Sequence, residues 1–235
     1  MTADPRLITA LDLPGVAEAE TLVGRIGAGC GFYKIGLQLL PVGGMELASR
    51  LKGGGYKTFL DFKLHDIPAT VEKATRSIAG AGAGDLLTVH GEPPVMRAAV
   101  EGRAGSDLRI LAVTVLTAYD DAMLAEMGYA YGARDLVMRR VDQAVEAGVD
   151  GVVASPLEAA EIRARVPDGF LIVTPGVRPA GSDAGDQKRI ATPADALNSG
   201  ATHLVVGRPI SGAADPGDAA RRIGEEMRFA RRPDV

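Results

Sequence analysis

Asp61, Lys63 and Asp66 crowd one short window, and Asp12 and Lys34 are charges set against apolar runs further upstream. Two carboxylates around an ammonium can form an alternating array with Asp12 and Lys34. Such an array reads in two ways: as a salt-bridge cluster that only holds structure together, or as a catalytic charge device. Buried ion pairs are poor sources of net stability, so a cluster of this size favours the catalytic reading. A second set could hold an anion: Gly176-Val177-Arg178, Gln187, and Gly207-Arg208. Glycine lets backbone N–H groups approach an oxyanion closely, and arginine offers a planar fork matched to phosphate. One arginine alone reads as a solvated surface residue, whereas Gly, Arg and Gln on neighbouring loops point to a phosphorylated ligand.

Those residues have to be positioned by the elements around them. Short apolar runs alternate with amphipathic segments along the whole chain. Strands are expected at 7–11, 32–35, 57–63, 86–89, 110–115, 151–154, 170–173 and 203–206. Helices are expected between them, clearest at 135–147, where Leu136, Val137, Val141, Ala144 and Val145 recur at helical spacing. Val16, Ala19, Val23 and Ile26 define another, and Thr192-Pro193-Ala194-Asp195 is a capping pattern that opens a third. Near-continuous apolar strands alternating with helices imply a parallel sheet. Eight such units predict an α/β fold, a (β/α)8 TIM barrel over 1–235 in one domain, with a doubly wound open sheet as the main rival. In that barrel the site lies at the C-terminal strand ends. Asp12 follows strand one, Lys34 lies in strand two, and Asp61 and Lys63 end strand three. Asp61 and Lys63 are two apart and share one face, with Phe62 turned into the layer beneath the helices. Arg178 and Gln187 follow strand seven and Arg208 follows strand eight, the habitual phosphate loops of this fold. The irregular stretch 174–190 is long enough to suggest a functional lid.

Composition narrows the choices further. A net charge of −4 and 4% aromatic residues with no Trp argue against nucleic-acid binding. The single cysteine, Cys30, allows no intrachain disulfide and reads as a buried, inert thiol. No apolar stretch is long enough to cross a bilayer, and Met1 to Pro5 lacks the start of a signal peptide, so a cytoplasmic protein without membrane partners is expected.

The run Asp61-Phe62-Lys63-Leu64-His65-Asp66-Ile67-Pro68-Ala69-Thr70 resembles the signature of orotidine 5′-phosphate decarboxylases of bacterial type. The resemblance recurs at Ala10-Leu11-Asp12, Tyr33-Lys34-Ile35-Gly36, Val113-Thr114-Val115-Leu116-Thr117, Thr174-Pro175-Gly176-Val177-Arg178-Pro179, Gly185-Asp186-Gln187 and Val206-Gly207-Arg208-Pro209-Ile210, in the family's order. It implies decarboxylation of orotidine 5′-monophosphate to UMP, the last step of de novo pyrimidine nucleotide synthesis, with no cofactor and no metal. By this resemblance Lys63 donates a proton to C6 of the pyrimidine and Asp61 lies beside the departing carboxylate. Asp12 and Lys34 would contact the ribose hydroxyls and hold the network. Asp66, Ile67 and Thr70 would complete the neighbouring subunit's site in a homodimer. Thr117, and less so Thr114, would meet the pyrimidine. Arg178, Gln187, Gly207 and Arg208 would hold the phosphate.

Several residues have plainer readings. His65 and His90 are expected to serve local structure at the barrel rim, and His203 to start strand eight far from the chemistry. Asp66 could instead mark the start of a helix. Asp120-Asp121 and Arg139-Arg140 read as solvated faces, and 231–235 as a frayed tail. Two rival functions stand beside the decarboxylase. One is a Mg²⁺-dependent sugar-phosphate lyase or synthase, which Lys34 disfavours by repelling a cation. The other is a non-catalytic nucleotide-binding barrel, which the retention of Asp61 and Lys63 disfavours.

Overall fold

The structure is a computed structural model that describes residues 3–179 and 191–230. Its strands are β1 (Leu7–Ala10), β2 (Phe32–Gly36), β3 (Lys57–Leu64), β4 (Leu86–His90), β5 (Arg109–Val113), β6 (Gly151–Val153), β7 (Leu171–Thr174) and β8 (His203–Val206). All pair in parallel in chain order, and β8 returns to β1 through Leu7↔Leu204, Ile8↔Val205 and Thr9↔Val206. The sheet is therefore a closed (β/α)8 barrel, and the open doubly wound alternative is excluded.

Helices α1 (Val16–Ile26), α2 (Gly44–Gly53), α3 (Pro68–Ala81), α4 (Pro93–Gly102), α5 (Asp121–Glu126), α6 (Ala133–Ala147), α7 (Ala159–Arg163), α8 (Pro193–Asn198), α9 (Arg208–Ser211) and α10 (Pro216–Phe229) connect the strands and complete the chain. The alternation of side chains along each strand divides the core in two. Ile8, Phe32, Phe59, Leu86, Leu111 and Val173 fill the barrel interior, while Tyr33, Leu60, Leu87 and Ile172 face outward and pack with the helices. Both faces are buried, which explains why the strands read as unbroken apolar runs. Phe62 joins the outer layer, as its position in β3 requires.

Three of the expected strands end before their apolar runs do. Leu11, Thr114 and Ala154 lie beyond the ends of β1, β5 and β6, but their N–H groups still bond Lys34 O (2.9 Å), Val153 O (3.2 Å) and Val173 O (3.2 Å). The ladder thus frays rather than stops, in the way element ends commonly do. In α6 the stripe Leu136, Val137, Val141 and Ala144 is buried, whereas Val145 is turned out. Thr192 caps α8 as expected, its hydroxyl accepting from Asp195 N at 3.1 Å.

Candidate functional site

The C-terminal mouth of the barrel holds a cavity of about 570 Å³, a volume suited to a small-molecule ligand. Asp12, Lys34, Asp61 and Lys63 line one part of it, with Thr117, Arg178, Gly207 and Arg208 also on its wall. Residues on six strands or the loops that follow them therefore converge as the fold predicts. Gln187 lies outside the described residues, as does the segment 180–190 of the expected lid.

The charges form a chain rather than a heap. Lys34 Nζ stands 2.9 Å from Asp12 Oδ1 and 3.3 Å from Asp61 Oδ2, and Lys63 Nζ stands 2.8 Å from Asp61 Oδ1. Lys34 and Asp61 are the sequestered pair, with side chains 9% and 14% exposed. Burial opposes charge on both. The attraction of Asp61 and Asp12 wins at Lys34 and holds its ammonium above the ordinary lysine range. At Asp61 the balance of burial against Lys34, Lys63 and the Thr88 hydrogen bond leaves the carboxyl below the ordinary range. Gly36 leaves room for this arrangement, because a Cβ there would stand 3.0 Å from Lys34 Nζ and 3.1 Å from Asp12 Oδ1.

Lys63 reaches Asp61 from an unusual backbone. It has φ 49°, the only positive φ outside glycine among the described residues. The ladder explains why: β3 advances four positions, Leu60 to Leu64, while β4 advances two, Leu87 to Val89. Two extra residues bulge at this point, and bulges of this kind re-aim side chains near functional sites. Thr88, in the middle of β4 and fully buried, spans the bulge. Its Oγ1 accepts from Lys63 N at 3.0 Å and donates to Asp61 Oδ1 at 3.0 Å. Sequence reading missed Thr88, although the signal was present. It is two residues from the inward-facing Leu86, so its hydroxyl must point into the barrel beside β3.

Asp66 does not join the array within one chain. Its Oδ1 accepts from Ile67 N at 2.6 Å, and the side chain is exposed. Nor does it cap α3, whose N-cap position is Ile67 with no side-chain cap. Ile67 (66%) and Thr70 are exposed as well and are not on the wall of this chain's cavity. The first sequence expectation, one network including Asp66, is thereby corrected: the short reach from the end of β3 to α3 carries Asp66 outward. Thr114 is turned from the cavity too, donating to Val153 O at 2.9 Å, whereas Thr117 lines it.

Arg140 is the other correction. It was expected on a solvated face, but its side chain is only 11% exposed. The guanidinium donates to Thr114 O, to Glu92 Oε1 (3.1 Å) and to Tyr129 OH (3.2 Å). It thus pins the end of β5, from which the cavity-lining Val115, Leu116 and Thr117 follow. The pattern of α6 gave no hint of this, since the carbonyl that Arg140 satisfies is remote in sequence. Arg139 is exposed, as expected. His65 and His90 lie against each other at the rim with ring centroids 4.7 Å apart, and His65 Nε2 is 3.6 Å from Glu92 Oε2. Burial, opposed by Glu92, keeps His90 below the usual histidine range. Cys30 is buried at the other end of the barrel, its Sγ 3.2 Å from Phe32 O, and burial pushes its thiol up.

A family model described as the orotidine 5′-phosphate decarboxylase / HUMPS family matches residues 5–223. A protein of Caulobacter sp. (strain K31) named orotidine 5′-phosphate decarboxylase is 61% identical over 227 residues, covering 97% of this chain and 99% of its own. A protein of the same name from Methylorubrum extorquens is 58% identical, with coverage of 97% and 99%. Among solved structures, orotidine 5′-phosphate decarboxylase from Lactobacillus acidophilus superposes with a TM-score of 0.83 at 34% identity, over 95% of this chain and 99% of that one.

Proposed function

The chain belongs to the orotidine 5′-phosphate decarboxylase / HUMPS family, and we propose that it decarboxylates orotidine 5′-monophosphate to UMP, with Lys63 as the proton donor. The observation that carries this reading is the Lys63–Asp61 pair at 2.8 Å on the wall of a cavity that Arg178 and Arg208 also line. The cavity offers cations at both places where the substrate is anionic. Arg178, Gly207 and Arg208, with Gln187 beyond the described residues, hold the 5′-phosphate. Asp12 and Lys34 take the ribose hydroxyls, and Thr117 meets the pyrimidine.

In the reaction the C6–carboxylate bond breaks, CO2 leaves, and the electron pair stays on C6. That carbanion has no good ring position to share its charge, so fixed cations must stabilise it where it forms. The Lys63 ammonium does so and delivers its proton to C6, giving UMP; solvent then reprotonates the amine. Asp61 aims the ammonium and stands beside the leaving carboxylate. Repulsion between the two carboxylates carries less weight, because ground-state destabilisation is a contested source of rate. Phosphate binding contributes by orienting the reacting centre.

The metal-dependent sugar-phosphate reading fits less well. Here an ammonium, Lys34, already stands between the carboxylates of Asp12 and Asp61, where a divalent cation would need them. We also infer a homodimer in which Asp66, Ile67 and Thr70 complete the partner's site, in keeping with their exposure in the single chain. No helix among the described residues is long and apolar enough to cross a membrane. The test is direct: purified protein is mixed with orotidine 5′-monophosphate in excess chelator, and loss of the orotate absorbance is followed. Turnover to UMP is expected. A strict Mg²⁺ requirement would favour the rival enzyme, and binding of UMP without turnover would leave only a binding protein.

A further inference from the structure

We propose that Thr88 is a positioning residue for the proton donor, fixing through one hydroxyl both the backbone that carries Lys63 and the carboxylate that aims it. The inference rests on the reading of Lys63 as donor and extends it to a side chain that does not line the cavity. The hydrogen-bond directions follow from chemistry alone. Lys63 N can only donate, so Thr88 Oγ1 accepts from it at 3.0 Å; an ionised Asp61 can only accept, so the Thr88 proton goes to its Oδ1 at 3.0 Å. One buried hydroxyl is thus committed in both directions, with no freedom left to turn.

Both commitments bear on the same ammonium. Asp61 Oδ1, the oxygen that Thr88 holds, is also the one that Lys63 Nζ meets at 2.8 Å, while Oδ2 faces Lys34 at 3.3 Å. The carboxylate is therefore fixed in rotation by three donors from three strands. The backbone bond matters as much. Lys63 occupies a positive φ, a conformation unfavourable for an L-residue that persists only when its surroundings over-determine it. Lys63 falls between the paired residues Leu60 and Leu64, where β3 and β4 lose register, and there the Thr88 hydroxyl takes its N–H. Without it the bulge would be free to relax and the ammonium to drift. A displacement of about 1 Å from a productive geometry can cost roughly 100-fold in rate.

The experiment compares wild type, Thr88→Val and Thr88→Ser with orotidine 5′-monophosphate, measuring kcat, KM and the affinity for UMP. Valine keeps the volume and removes both bonds; serine keeps both bonds and removes a methyl group. A kcat lower by about 10- to 100-fold is expected for Thr88→Val, with KM and UMP affinity changed less than about 3-fold, and serine should restore most of the rate. A merely structural residue would move KM and UMP affinity along with kcat. Should Thr88→Val fail to fold, Thr88→Cys, a weak donor of similar size, is expected to fall between serine and the loss described for valine. Wild-type kcat in Thr88→Val, or equal impairment in valine and serine, would overturn the role of Thr88 while leaving the decarboxylase reading intact. Silence of the wild type itself would overturn that reading, and this inference with it.

Discussion

Replacing Lys34 with methionine removes one charge from the array with little change in volume. In the wild type Lys34 Nζ lies 3.3 Å from Asp61 Oδ2 with both side chains largely sequestered. At an effective dielectric of about 20 that separation corresponds to an attraction of about 5 kcal/mol, which offsets the cost of burying the two charges. Deleting one partner of a buried pair costs about 3–5 kcal/mol because the other charge stays behind. Lys63 and Thr88 still serve Asp61, so the lower end, about 3 kcal/mol, is expected. The Asp12 contact adds little, since its carboxylate is more than half exposed.

The loss should depend on pH in a defined way. Asp61 has a folded-state value below the ordinary 3.8, so its contribution is present above that pH and is lost as pH falls through the depressed value. Lys34 has a value above the ordinary 10.5, so its contribution is complete below that pH and is lost as pH rises through the elevated value. The deficit of Lys34→Met, measured by urea unfolding, should therefore be flat between about pH 5 and 9 and shrink on either side. Adding Asp61→Asn should recover part of it by removing the stranded charge. A deficit below about 1 kcal/mol at pH 7, the size of a surface pair, would show that Lys34 is solvated and refute the argument.

Two further expectations follow from other parts of the fold. Burial, with Lys57, Arg109 and Arg6 nearby, lowers His203 from 6.5 to about 4, so the unfolded chain binds its proton first and stability falls as pH drops from 6.5 towards 4. In the same window His203→Gln should lose less, by on the order of 2–3 kcal/mol in urea titrations, and parallel curves would remove His203 from the acid response. If Asp66 serves the partner's site, mixing Lys63→Ala chains with Asp66→Asn chains should regenerate about a quarter of wild-type activity through hybrid dimers, each carrying one intact site. No recovery after subunit exchange would place Asp66 in its own chain's site.

The barrel was legible because its strands are buried on both faces and so stand out as short apolar runs between helical stripes. Asp12, Lys34, Asp61 and Lys63 were legible for the opposite reason, as charges within those runs or at their ends. What local sequence could not convey was tertiary. The positive φ of Lys63 depends on a mismatch between β3 and β4, which neither strand encodes alone. Arg140 looks like a surface residue of α6 until the carbonyl of Thr114, brought close as α6 crosses over from β5 to β6, is seen to need a donor. Val145 shows the same limit from the other side: it fits the helical stripe, yet it is 37% exposed between the buried Ala144 and Val149. Asp66 sits in the same motif as Lys63, but the turn from β3 into α3 sends the two in different directions.

Decarboxylation at this site depends most on the Lys63 ammonium, and Lys63→Ala isolates it. Turnover of orotidine 5′-monophosphate and equilibrium binding of UMP should be measured on the same preparation. The expected result is a fall in kcat of about 10²- to 10⁴-fold, the range of a lost general acid, with UMP still bound. Turnover within about tenfold of the wild type would contradict the assignment, because a proton source outside this pair would then be supplying C6.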